Sequence, residues 1–309
     1  MSLLSQKHLQ DEEAAYAWVE AHVWPEGPVC PHCQEKARVS KMQGKSTRFG
    51  LYKCYACRKQ FRVTVGTIFE KSHVALHLWL QAFYLIAGSK KGISANQLHR
   101  TLGVTLKTAW FMGHRIREAM RVGSLAPPMG GGGGVVELDE TFLGDKKIFK
   151  KTRARKSLAY KVTVLTLVDR RGEARSFHID RASNEEVLPI VRANISREAA
   201  LATDAAGYYA GIENAVAQHD TVVHSDYEWA RGDVHTNTVE GYFSLFKRGM
   251  KGVYQHCSEK HLHRYLAEFD FRYSNRVKLG VNDEQRAARA VQSVVGKRLT
   301  YRTTGPRAE

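Results

Sequence analysis

The chain has 309 residues, 43% apolar and 25% charged. This is an ordinary globular composition, with room for two or three folded units and no need of disulfide staples. Lys and Arg number 47 against 31 acids, a formal charge of +16, which favours a polyanionic partner, nucleic acid ahead of an anionic membrane. No run reaches the ~18 apolar residues of a spanning helix, and the acidic N-terminal stretch lacks the order of a secretory signal, so a cytosolic protein with reduced cysteines is expected.

Residues 1–70 read as a short amphipathic helix followed by a small β-rich unit. Asp11, Glu12 and Glu13 stand near the helix start, and Ala15, Trp18 and Val19 give it an apolar side. Within the β-rich unit, Cys30-Pro-His-Cys33 and Cys54-Tyr-Ala-Cys57 are separated by 20 residues. Two such knuckles each present a pair of thiolates from one tight turn, the spacing of a four-cysteine zinc ribbon. A redox site would need one Cys-x-x-Cys in a thioredoxin-like unit. His32 is a bystander in the first knuckle, and Cys257 a packing residue.

Residues 71–123 are helical. Leu76, Trp79, Leu80, Phe83 and Tyr84 recur at i, i+3, i+4, i+7. Two shorter helices follow, hinged at Leu102-Gly103-Val104, with Ser94 and Thr105 as their N-caps. This is the layout of a helix-turn-helix. Its second helix would enter a DNA major groove with Thr105, Lys107, Thr108 and His114, while Arg115, Arg117 and Arg121 neutralise phosphates. A plain helical hairpin with a solvated basic face is the alternative.

Residues 124–134, with Pro127-Pro128 and five glycines from 130 to 134, have the composition of a flexible linker. From 135 to 290 the pattern is strands, then alternating helix and strand, then helices: an α/β domain with a mixed sheet. Strands are expected at 135–142, 160–168, 174–179, 201–204 and 221–224, and a helix at 184–194. The segment 291–309 is a basic tail, which reads as loose after Gly296. Lys146, Lys147, Lys150 and Lys151 fall in a basic stretch suited to phosphate contact.

Asp139 interrupts an otherwise apolar strand, which costs free energy unless a cation compensates it. Glu137 shares its face, while Val136, Leu138 and Phe142 point to the other. Asp204 ends a second strand. Glu240 lies 35 residues further on, on a helix whose buried stripe is Val239, Phe243, Phe246 and Met250, with Asn237 one turn before it and Lys247 two turns after. Hard oxygen ligands from two strands and a helix can converge on a pair of Mg2+ or Mn2+ ions, which activate a hydroxyl and stabilise the leaving oxygen of a phosphodiester. Lys247 would balance phosphate charge.

The segments Val136-Glu-Leu-Asp-Glu-Thr-Phe-Leu-Gly144, Arg231-Gly-Asp-Val-His-Thr-Asn-Thr-Val-Glu240 and Lys247-Arg-Gly-Met-Lys-Gly-Val-Tyr254 resemble the DDE transposases of bacterial insertion sequences, in the group with an N-terminal zinc ribbon. The resemblance extends from about the ribbon to residue 280. It implies an RNase H-like catalytic domain that cuts double-stranded DNA at transposon ends and joins the freed 3′-hydroxyls to target DNA. Asp139, Asp204 and Glu240 would be the metal ligands and Lys247 the phosphate contact. Asn237 is sometimes given the third ligand position in this group, but a carboxylate binds Mg2+ better than an amide. Pairing of two ends implies at least a homodimer on DNA, in a bacterial cytoplasm and at the nucleoid. A DNA-binding regulator without chemistry and a junction resolvase are the rival readings.

Overall fold

The computed structural model describes residues 5–123, 126–145, 161–223, 230–255 and 257–300. The basic stretch with Lys146, Lys147, Lys150 and Lys151 lies outside them. The chain divides into two compact units, Met1–Met120 with Val281–Glu309, and Arg121–Gly280. No helix among the described residues is long and apolar enough to cross a membrane.

In the first unit, α1 (Glu12–Val23) is capped by Asp11, which accepts from the Ala14 amide at 2.8 Å, and it buries Ala15, Tyr16 and Val19. The strands β1 (Val39–Lys41), β2 (Tyr52–Cys54) and β3 (Gln60–Phe61) form a small antiparallel sheet. Next comes α2 (Leu76–Gly88), which buries Leu76, Trp79, Leu80, Phe83 and Ile86. Its cap residue, Ala75, offers no side-chain acceptor. Glu12 supplies one instead, accepting from the amides of Leu76 at 2.7 Å and His77 at 3.1 Å. Ser94 caps α3 (Ala95–Leu102), and Gly103 ends it at φ +67, a left-handed turn that favours glycine. The first turn of α4 (Leu106–Met120) is held by Thr105 Oγ1, accepting from the Thr108 amide at 3.1 Å.

The last helix, α8 (Asp283–Gln292), belongs to this unit rather than to the domain expected to run to residue 290. It packs on α2, and Arg286 donates to the Ala87 carbonyl at 3.1 Å. The segment after it is not loose as far as residue 300. The Gly296 amide donates to the Gly66 carbonyl at 2.9 Å, Lys297 Nζ to the Ala119 carbonyl at 2.7 Å, and Arg298 pairs with Glu70.

The second unit is built on a five-stranded sheet of order β6-β5-β4-β7-β8. The strands are β4 (Val135–Asp145), β5 (Lys161–Asp169), β6 (Ala174–Ile179), β7 (Ala200–Asp204) and β8 (Gln218–Val222). The first three are antiparallel, and β4, β7 and β8 run parallel. Helices cover both faces. On one, Val136, Leu138, Leu165 and Leu167 pack with Val187 and Val191 of α5 (Asn184–Asn194). On the other, Val162, Val164 and Val168 meet Val239, Phe243 and Phe246 of α6 (Asn237–Gly249) and Leu266 and Phe269 of α7 (Leu262–Ser274).

The glycine run is not a free linker. Met129 is buried and bridges Ile195, and the Gly130 amide donates to Asp169 Oδ2 at 3.1 Å. Gly130 sits at φ +76, and a Cβ there would fall 2.5 Å from that of Ala199. Composition alone predicts freedom for such a run, but here its backbone groups find partners within its own unit.

Candidate functional site

The four Sγ atoms of Cys30, Cys33, Cys54 and Cys57 lie within 4.8 Å of one another. Cys30 and Cys57 are 3.7 Å apart, and Cys33 and Cys54 3.6 Å. Tetrahedral thiolates bound to zinc at about 2.3 Å must stand about 3.8 Å apart, so the set fits that ion. Each knuckle closes on a non-glycine residue with left-handed backbone, Gln34 at φ 62 and Arg58 at φ 61. The amide of Cys57 leads the groups that hold the Cys54 thiol below its ordinary value, while that of Cys33, against the pull of the Glu35 amide, is held above its own by burial and the neighbouring thiols. Trp24, Tyr52 and Phe61 pack as the ribbon's core.

At the start of α4, Thr105 just before it and Lys107 on it are exposed, and Thr108 is half-buried. Arg115 and Arg117, expected to meet phosphates, are instead buried, at 6% and 5% exposure, and so is His114. Arg115 spends its donors on the carbonyls of Ile68 at 2.7 Å, Glu70 at 3.2 Å and Leu299 at 3.0 Å. A guanidinium so used ties three chain segments together and is not available to DNA.

In the sheet unit, alternation along β4 sends odd and even residues to opposite faces. The registered β4–β7 pairs are Val135↔Ala200, Val136↔Leu201 and Glu137↔Ala202. Asp139 and Asp204 each stand two residues past the last registered pair, so strand alternation carries both to the face of Glu137 and Ala202 on adjacent parallel strands. Burial acts first on Asp139, and the carboxylates of Glu140, Asp204 and Glu240 add to it. Together they push its carboxyl up to about 8, against the pull of the Glu140 amide. The three acids expected from sequence thus act on one locale. They do not form a closed cluster like the cysteines, which are the one set of at least three ligand groups that close among the described residues.

Glu240 is exposed on the first turn of α6, and Asn237 is exposed at its start. Lys247 is half-buried and lines a cleft of about 490 Å³ with Phe142, Leu143, Met250 and Lys251.

Two acids flanking Asp139 have structural partners that sequence reasoning did not assign. Glu137 is fully buried. It accepts from the amides of Thr238 at 2.7 Å and Val239 at 3.0 Å, from Thr238 Oγ1 at 2.7 Å, and from Arg170 Nε at 2.8 Å. Arg170 also donates to the carbonyls of Asp233 and His235. The central strand therefore caps α6 and holds the loop that leads into it. Glu140, on the opposite face, accepts from the hydroxyls of Tyr208 and Tyr209. Alternation assigns the face of each acid, but their partners appear only once the strands are in register.

Residues 132–274 match the model of the ISXO2-like transposase domain, and residues 10–60 that of the transposase zinc-ribbon domain. The chain is also similar to a protein of Halobacterium salinarum described as an uncharacterized protein in transposable element ISH50. The two are 29% identical over 263 residues, covering 81% of this chain and 86% of the relative. By its two matched domains, the chain belongs to the insertion-sequence transposases that carry an N-terminal zinc ribbon.

Proposed function

We propose that this transposase is a metal-dependent DNA nuclease and strand-transfer enzyme of the Asp-Asp-Glu type. The reading is supported by strand alternation, which sets Asp139 and Asp204 on one face of adjacent parallel strands two residues past their last registered pair, and by the charge of Glu240 reaching Asp139 from α6. The strand order, three antiparallel then two parallel with helices on both faces, supports an RNase H-like assignment.

The donor set suits a hard divalent cation. Asp139, Asp204 and Glu240 offer carboxylate oxygens, and their mutual repulsion is what a cation relieves. Mg2+ or Mn2+ bound there would lower the pKa of an attacking hydroxyl and stabilise the leaving oxygen. Glu240 is preferred to Asn237 as the third ligand because a carboxylate contributes charge as well as an oxygen. Glu137 holds α6 so that Glu240 is presented from a fixed first turn, and Lys247 offers a cation for the DNA backbone.

Helices α3 and α4 support a helix-turn-helix reading. The exposed Thr105 and Lys107 and the half-buried Thr108, at the start of the second helix, are then the groups that meet the terminal inverted repeats. Bringing two ends together calls for at least two copies of the chain.

The test is strand cleavage of DNA carrying the element's ends, in Mg2+ or Mn2+. The native protein should nick it, whereas Asp204→Ala should bind with nearly unchanged affinity and not cut. Binding without nicking by the native protein would leave a DNA-binding regulator. Preference for branched DNA over the repeats would leave a junction resolvase.

A further inference from the structure

Glu140 follows Asp139 on β4, and both oxygens of its carboxylate are engaged. Tyr208 donates its hydroxyl to Oε1, and Tyr209 donates to Oε2 at 2.7 Å. These tyrosines stand on the short turn Gly207–Tyr209, just past Asp204, whose Oδ1 accepts from the Ala206 amide at 3.3 Å. Tyr209 is buried in the core on the α5 face of the sheet, and Tyr208 packs on the same core, their rings 4.8 Å apart. The last registered β4–β7 pair is Glu137↔Ala202. Beyond that pair, the segment leaving Asp204 is fastened to β4 through Glu140, one residue past Asp139.

We propose that Glu140, Tyr208 and Tyr209 form a positioning clamp that fixes the separation of Asp139 and Asp204 and so sets the site's affinity for its divalent metal. The inference rests on the reading of those two acids as ligands. Glu140 itself is a positioning residue, because turning toward a metal would strip the acceptor from two tyrosine hydroxyls, one of them fully buried. Hydrophobic packing alone does not require these hydroxyls. Phenylalanine would fill the same core, so the hydroxyls serve the carboxylate.

The hydroxyl deletions test this in the full-length protein. Mn2+ binding is followed by the electron paramagnetic resonance of free Mn2+, and cleavage by its dependence on Mn2+ concentration. Tyr208→Phe/Tyr209→Phe should weaken Mn2+ binding about tenfold or more, the usual effect of losing an outer partner of a ligand. The half-saturating Mn2+ for cleavage should rise by the same factor, with the rate recovering at high Mn2+, and the melting temperature should fall because Glu140 loses both hydroxyl donors. Should the double variant fold poorly, Tyr208→Phe alone, at the half-buried position, should shift both readings in the same direction. An unchanged Mn2+ affinity in either folded variant overturns the clamp. Asp139→Asn separates the two levels. If it binds Mn2+ and cuts like the parent, the ligand reading itself fails. If it abolishes both while the Phe variants match the parent, only the clamp fails.

Discussion

The Thr238 amide donates to the carboxylate of Glu137 at 2.7 Å, so the first turn of α6 is capped by the central strand, 101 residues earlier in the chain. The cap residue of α6, Thr236, makes no side-chain capping bond, and the buried glutamate replaces it. This contact fixes the helix that carries Glu240 to the strand that carries Asp139.

Glu137→Gln removes the charge from these bonds and leaves Arg170 facing an amide. We expect a loss of about 2–4 kcal/mol in urea unfolding, together with a fall in cleavage. Thr238→Ala keeps both amide donors, loses only the hydroxyl bond, and should cost about 1 kcal/mol. Equal stability of Glu137→Gln and the parent would remove the capping role.

The carboxyl of Asp139 is held up at about 8 in the metal-free protein, first by burial and then by its acidic neighbours. Its ordinary value is 3.8, so the folded state binds the more tightly held proton. Stability is therefore fully retained below about pH 4 and is lost as pH rises toward 8, with a slope of at most about 1.4 kcal/mol per pH unit. Asp139→Asn lacks this dependence. Without metal it should become more stable than the parent as pH rises through that window, and added Mn2+ should restore the parent alone. Parallel stability–pH curves for the two proteins would refute the assignment.

Several elements were legible from local signals. Ser94, Gly103 and Thr105 marked α3 and α4, and the helix expected at 184–194 is α5. The strands of the sheet were placed to within a few residues, because each alternates or runs apolar between turn residues. The caps of α2 and α6 were not legible, since Ala75 and Thr236 do not supply them and their acceptors come from Glu12 and Glu137. The run from Gly130 to Gly134 reads as a linker by composition, yet it is held by Asp169, Glu198 and the close approach of Ala199. Arg115 reads as a phosphate contact because its carbonyl partners come from distant segments. The faces of Glu137 and Glu140 follow from alternation, but what each face meets depends on strand order.

The buried Arg115 and the exposed Lys107 should respond differently to truncation. Arg115→Ala leaves three carbonyls short of a donor and should lower stability by about 2–4 kcal/mol, seen as a drop in melting temperature. Lys107→Ala should leave melting unchanged, weaken binding to end DNA, and reduce the slope of log affinity against log salt by about 1. A thermally intact Arg115→Ala with the same salt effect would return that arginine to the DNA face.

The ribbon should hold one zinc ion per chain, measurable by elemental analysis. Cys54→Ser, or prolonged chelation, should release it and open the packing of Trp24 on Tyr52 and Phe61, which is read in tryptophan fluorescence. The sheet unit should keep its own unfolding transition, since its cores contain none of the ribbon residues. Full zinc retention in Cys54→Ser would contradict the four-cysteine site.

The most direct test of the catalytic assignment is to locate Mn2+ by anomalous diffraction from crystals of the protein bound to its end DNA. The account predicts manganese in contact with carboxylate oxygens of Asp139 and Asp204, with Glu240 completing the set. Manganese bound elsewhere, with these three acids making no contact to it, would contradict the account.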